Sequence, residues 1–297
     1  MKGIAVSECH SYDPEEVRES VTECIELLGG ARRFASSGDR VLLKPNMLMA
    51  ASPERHVTTH PSVIEAVAEV FLDLGAEVSI GDSPGGSFRN IERFWRATGI
   101  LDVCRRLDIE PLNFEASGSY IMGSGYPISR PVVDSDLVVN LPKLKTHSMT
   151  IFTCAVKNMY GAVPGFRKAD YHREHPRPSE FARRLLEIYL LTEPALTWLM
   201  GLSGWRETVH RVETPGNLES SWHQRMPLPL TYTSPGCWAW TPSGSLLMRP
   251  PGERDSPRIL PNLKLQGMNL KGWMTSGGHQ TSITPLTSCH RALHAPS

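Results

Sequence analysis

These 297 residues contain no C-x-x-C pair, no apolar run of membrane length and no net charge. Each absence removes a class of function. The six cysteines (Cys9, Cys24, Cys104, Cys154, Cys237 and Cys289) are scattered singly. Neighbouring positions therefore supply neither a thiol–disulfide pair nor the thiolate set of an iron–sulfur cluster. They read as reduced, mostly buried thiols of a cytoplasmic protein. A membrane-spanning helix needs about 20 consecutive apolar residues, and no window approaches that. The opening, "MKGIAVSECHSYDPEE", turns acidic before an apolar run develops, unlike a signal peptide. Lysine plus arginine equals aspartate plus glutamate, 31 each. No basic surplus is offered to nucleic acid or to an anionic membrane.

A second set of deficits is local. Residues 1–196 hold 27 valines and isoleucines, and residues 197–297 hold four: Val209, Val212, Ile259 and Ile283. All eight phenylalanines lie in the first part, and six of the seven tryptophans in the second. Asp255 is the one aspartate after residue 197. A stretch of about a hundred residues without a readable helix or strand is too long for a loop. Disordered tails are rarely so rich in tryptophan and so poor in acid. The chain therefore divides into an α/β domain, 1–196, and an irregular tail, 197–297.

What the first part contains is a strand–helix alternation. "GIAVSE" reads as a strand. "DPEEVRESVTECIELLGG" reads as a helix with Asp13 as N-cap, Pro14 in the first turn and Glu16 closing a capping box. Its Val17, Val21, Ile25 and Leu28 recur at helical spacing. "DRVLLKPN" is the next strand, "HPSVIEAVAEVFLDLG" the next helix and "AEVSIGDSPGG" a strand running into a glycine turn. Helical segments follow near 90–107, then the strand "DLVVNL", then a helix near 179–191. Buried strands separated by helices predict an α/β fold, a mainly parallel sheet with helices on both faces and the C-terminal third irregular.

Three of these strands end in polar clusters. One runs into Lys44 and Asn46, one into Asp82, Ser83, Gly85 and Gly86, and one through Asn140 into Lys143, Lys145, Thr146 and His147. Lys157 and Asn158 follow. The carboxyl ends of parallel strands face one edge, where ligands bind, so the clusters should converge. The chemistry is that of a small anionic ligand. The lysines supply charge, Gly85 and Gly86 offer backbone N–H groups, and Asn46, Asn140 and Asn158 orient polar groups. His147 moves a proton with Asp82 and Lys145 beside it. His60 reads equally as a helix cap, and His172 and His175 as a solvated loop; no metal site is assigned.

The segments "VLLKPNM", "TTHPSVIEAVAEVFLDLGAEVSIGDSPGG", "DLVVNLPKLKTHSMTIFTCAVKNMYGAVPG" and "FARRLLEIYLL" resemble the family called domain of unknown function 362. The K-T-H and K-N-x-x-G pieces are the most specific. The resemblance implies a cytoplasmic prokaryotic α/β protein and fixes no reaction. Many relatives carry a ferredoxin-like insert for [4Fe–4S] clusters, which this chain lacks. An iron–sulfur-associated redox scaffold, or another cofactor-holding role, is the alternative to an enzyme. The resemblance also implies a further strand and a glycine-acidic turn past "EPALT", which cannot be read here. Shifting the frame by one base at Thr197 restores a family-like M-V-N-G-I-V-G-M-E-G-D-G-P for a suitable choice of degenerate codon bases. A third reading is thus a frameshifted gene product whose tail was never selected to fold.

Overall fold

A computed structural model describes residues 4–7, 9–85, 90–147 and 151–205, with the short segments 207–208, 211–212, 230–233, 237–240, 246–249 and 265–266. In chain order the elements are β1 (Ile4–Val6), α1 (Pro14–Leu27), β2 (Arg40–Pro45), α2 (Pro61–Asp73), β3 (Glu77–Gly81), α3 (Ile91–Ala97), α4 (Ile100–Arg106) and β4 (Pro111–Leu112). There follow β5 (Ser119–Met122), β6 (Tyr126–Ser129), α5 (Arg130–Asp134), β7 (Leu137–Leu141), β8 (Lys143–His147), β9 (Ile151–Thr153), α6 (Ala155–Asn158), α7 (Arg167–Glu174), α8 (Pro178–Thr192) and β10 (Leu196–Trp205). Beyond these lie β11 (Glu207–Thr208), β12 (Arg211–Val212), β13 (Leu230–Thr233), β14 (Cys237–Trp240), β15 (Leu246–Arg249) and β16 (Leu265–Gln266).

The sheet that carries the site is parallel throughout, in the order β10-β7-β2-β3-β4. β7 and β2 lie side by side within it, in register from Val41 opposite Leu137 to Pro45 opposite Leu141. Successive residues of these strands point to opposite faces. Val41, Leu43 and Val139 enter one buried cluster with α1, α2 and α4, while Leu42 and Val138 enter a second with α8 and the Met159–Ala162 turn. Both faces are covered, which is why the strands are continuously apolar rather than alternating. β13 adds antiparallel to β10 and to β1 at the far side.

Local signals operate as the sequence suggests, with two differences. The Asp13 carboxylate accepts from the Glu15 and Glu16 N–H groups and caps α1. Glu16 does not turn back on Asp13; its carboxylate takes the His10 N–H and the Ser11 hydroxyl, fixing the β1–α1 loop. The segment "DYHREHP", expected as a solvated loop, forms the helix α7, whose Tyr171 packs into the second core.

After residue 196 the expectation of irregular chain is corrected at its start. β10 runs on to Trp205, and Leu196, Trp198 and Leu199 are buried there. Apolar side chains beside β7 gain more by burial than a polar tail segment would. Past Trp205 the described residues form six strands of two to four residues each. No helix among the described residues is long and apolar enough to cross a membrane.

Candidate functional site

The clusters at the ends of β2, β3 and β7 meet at the carboxyl edge of the sheet. The opening they were expected to line is largely filled by their own contacts. The Lys44 ammonium lies 2.7 Å from the Asp82 carboxylate, with both side chains almost wholly buried. The other Asp82 oxygen accepts the Met47 N–H at 2.9 Å. Burial pulls the Lys44 basicity below the ordinary lysine value, and the Asp82 charge opposes that pull.

Asn158 is the hub beside this pair. Its Oδ1 accepts from Asn46 Nδ2 at 2.9 Å, and its Nδ2 donates to Asn140 Oδ1 at 2.8 Å and to the Lys44 carbonyl at 3.2 Å. Asn140 Nδ2 continues to the Ala155 carbonyl at 3.1 Å. Lys145 Nζ donates to Asn46 Oδ1 at 2.7 Å and to the Val57 carbonyl at 2.8 Å. A buried network of this kind is stable only when its members are satisfied, and these contacts link α6 to three strands. Three residues past Asn158, Gly161 approaches so closely that a Cβ there would overlap Asp82 Oδ1 and lie 2.8 Å from Lys44 Nζ. The K-N-x-x-G piece thus has a physical basis: the asparagine ties strand ends together and the glycine leaves room for the ion pair.

The knot after β7 is itself the strand β8, antiparallel to β9 and parallel to β10. Lys143 and Lys145 are two apart and share a face. Lys143 is buried; its ammonium donates to the Tyr12 hydroxyl at 2.9 Å and lies 5.3 Å from that ring's centroid. Tyr12 stacks on His60 with centroids 3.9 Å apart. His60 Nδ1 accepts the Ser62 N–H at 3.3 Å and caps α2. Burial, with the Lys143 and His56 charges, holds His60 down at about 4, so it is neutral in neutral solution. Its capping role is therefore present in the structure.

A third group lies at the end of β3. Lys168 Nζ, on α7, donates to the Ser83 hydroxyl and to the Ser83 carbonyl at 3.0 Å, and stands 4.0 Å from the Glu115 carboxylate. The Ser83 hydroxyl donates to Glu115. Burial lowers Lys168 to about 8 against the raising effect of Asp82 and Glu115.

The structure thus brings together Lys44, Asn46, Asp82, Asn140, Lys145 and Asn158, and sets Ser83 and Lys143 on either side. The Gly85 N–H is already committed to the Leu48 carbonyl at 3.0 Å, so it is not presented to an anion as expected. Gly86 lies outside the described residues, as do the side chains of Thr146 and His147, whose backbone completes β8. Lys157 is half-buried on α6; burial, and then the Lys157 charge, lowers the basicity of His172. The His172 ring packs at a tilt against Phe181 and bonds the Lys168 carbonyl at 2.8 Å, while His175 Nε2 accepts from Arg184. No group of three or more histidines, cysteines, aspartates or glutamates poised for a metal occurs among the described residues. Lys168, Tyr12 and Glu115 carry no mark in the sequence. A lysine in a polar helix and a tyrosine in a loop carry no local mark of burial beside a strand end.

A thylakoid-associated protein of Synechocystis is 36% identical over 208 residues, 68% of this chain. The chain spans 64% of that relative's length. The lactate racemase apoprotein of Thermoanaerobacterium thermosaccharolyticum superposes with a TM-score of 0.43 at 10% identity, covering 67% of this chain and 50% of that one. The model of the family described as domain of unknown function (DUF362) matches residues 41–219, more than half of the chain, and the protein belongs to that family.

Proposed function

We propose that this chain is an enzyme, or the remnant of one, acting on a small anionic ligand at the carboxyl edge of its sheet in the cytoplasm. One observation carries the reading. Lys143 is 2% exposed, and among the described residues its ammonium meets a phenol and no carboxylate within ion-pair reach. A buried charge costs several kcal/mol, roughly, unless an opposite charge joins it. Nearby, the Lys44 charge is met by Asp82, whereas Lys143 has no such carboxylate among the described residues. A carboxylate or phosphate arriving beside Lys143 supplies the opposite charge. Lys143 and Lys145 hold the anion, His147 moves a proton, and Asp82 acts on the site through Lys44. Calorimetric titration of the protein with oxalate and with inorganic phosphate tests this. Saturable binding lost in Lys143→Met supports it, and binding indifferent to that change removes it.

A second reading concerns the tail, and a specific observation favours it. We infer that residues from about 197 onward are an out-of-frame translation. Trp198 is fully buried in β10, and its indole N–H has no partner among the described residues. A buried tryptophan N–H normally finds an acceptor, so this position is poorly matched to its surroundings. The family match covers 197–219 in the frame as written, which runs against a shift beginning at 197, and leaves the Trp- and Pro-rich remainder after 219 unmatched. Sequencing the coding DNA across codons 190–205 decides the point. A single-base insertion or deletion relative to a family-like frame supports the inference, and an intact frame refutes it.

A further inference from the structure

We propose that Ser83 is a nucleophile for acyl transfer, with Lys168 as its base and Glu115 as the group that positions both. Nothing in the anion reading uses these three residues together. Ser83 stands just past the end of β3, where a parallel strand delivers side chains to the ligand edge. Its hydroxyl accepts from Lys168 and donates to Glu115. A serine is activated when a base within hydrogen-bond reach is itself oriented by a third group, and serine–lysine pairs are a recurrent form of that arrangement. Lysine serves as a base when burial makes its neutral form accessible. Lys168 is buried enough for this, at about 8.

The group lies nearer the surface than the pair behind it, with Ser83 itself 4% exposed. The Lys168 and Glu115 side chains are 11% and 15% exposed, against 0% for Lys44. Gly85, two residues from Ser83, lies at the surface.

The motif Gly81-Asp82-Ser83-Pro84-Gly85 has the spacing G-x-S-x-G, yet it is not the strained elbow that spacing often marks. Ser83 is absent from the residues with left-handed backbone. Pro84 has no N–H with which to hold an oxyanion. The activation here comes from the lysine rather than from the turn.

The step balances as follows. Neutral Lys168 takes the Ser83 hydroxyl proton as Oγ bonds to the carbonyl carbon of an ester or thioester. The bond to the leaving oxygen or sulfur breaks, and that atom leaves with the proton from Lys168. Water then attacks the acyl-serine, its proton passing through Lys168 back to Ser83 Oγ. The products are a carboxylic acid and an alcohol or thiol.

The test uses the soluble full chain with phenylmethanesulfonyl fluoride and with p-nitrophenyl acetate. The expected result is one sulfonyl group per chain on Ser83, located by peptide mass, and p-nitrophenol release whose rate climbs as pH rises through about 8. Ser83→Ala removes both signals. Lys168→Arg keeps the charge but cannot accept a proton, and should lower both rates by roughly 100-fold or more. The pH profile of the unaltered protein serves as a second readout should the variants fail to fold. A folded protein that takes no adduct at Ser83 from either reagent overturns the proposal, as does reactivity unchanged in folded Lys168→Arg. Arg40→Met, at the opposite end of β2, should leave the labelling intact, and labelling is read separately from anion titration, so failure of the anion reading is distinguishable from failure of this one.

Discussion

Replacing Lys44 by methionine probes the centre of the site. The change deletes the ammonium and leaves an unbranched side chain one atom shorter, with sulfur in place of Cδ. Asp82 then remains almost wholly buried with the Met47 N–H as its hydrogen-bond donor. Removing one partner of a buried ion pair typically costs about 3–5 kcal/mol, because the other charge is left uncompensated. For a domain of this size that corresponds to a fall in melting temperature of roughly 6–20 °C. The double variant Lys44→Met with Asp82→Asn removes both charges and keeps an oxygen for Met47. It should recover most of the loss, since replacing a buried pair outright is often near neutral. Urea unfolding of the single and double variants measures this, with the midpoint as the readout. If Lys44→Met unfolds within about 0.5 kcal/mol of the parent, in the range of an ordinary surface change, the buried pair is not what holds this edge together.

Other outcomes follow from the same contacts. Gly161→Ala should be destabilising and should weaken the Lys44–Asp82 pair, because its Cβ has no room beside them; unchanged stability would show the close approach to be wrong. His60 is held near 4, below its ordinary value of 6.5. Below pH 6.5 the unfolded chain binds a proton that the native state refuses until about pH 4, so stability should fall with pH across that window. His60→Asn keeps an N-cap acceptor and should flatten much of that slope, measured by denaturation at each pH; an unaltered slope assigns it elsewhere. A one-base change restoring the frame near codon 197 should give a more soluble protein that unfolds cooperatively. Cooperative melting with a protease-resistant tail in the chain as written would instead make the tail a true domain.

Periodicity and capping made the first two thirds legible. The helical spacing of Val17, Val21 and Ile25 and the cap at Asp13 place α1, and the apolar run Leu137–Leu141 places β7. Convergence of the strand ends was legible too, because a parallel sheet forces it. The packing at those ends was not. Lys44 reads from sequence as a cation offered to a ligand, yet it is fully buried because Asp82, 38 positions away, supplies its counter-charge. Lys168 sits among charged residues in a polar helix, and only the fold carries it back to Ser83. Gly161 shows the same limit. Its need for space comes from two side chains on separate strands. Strand β10 is hard to read from sequence because it has no valine or isoleucine, unlike β7 beside it, which accepts the pairing.

The most direct test of the anion site is a calorimetric titration with oxalate and phosphate, made in parallel on the parent, Lys143→Met and Arg40→Met. Arg40 lies at the opposite end of β2, paired with Asp136 at 3.0 Å, and serves as the control cation. The account predicts one saturable site in the parent and in Arg40→Met, weakened at least tenfold, roughly 1.4 kcal/mol, in Lys143→Met. Equal affinity in all three proteins, or no binding of either anion by the folded parent, would contradict it.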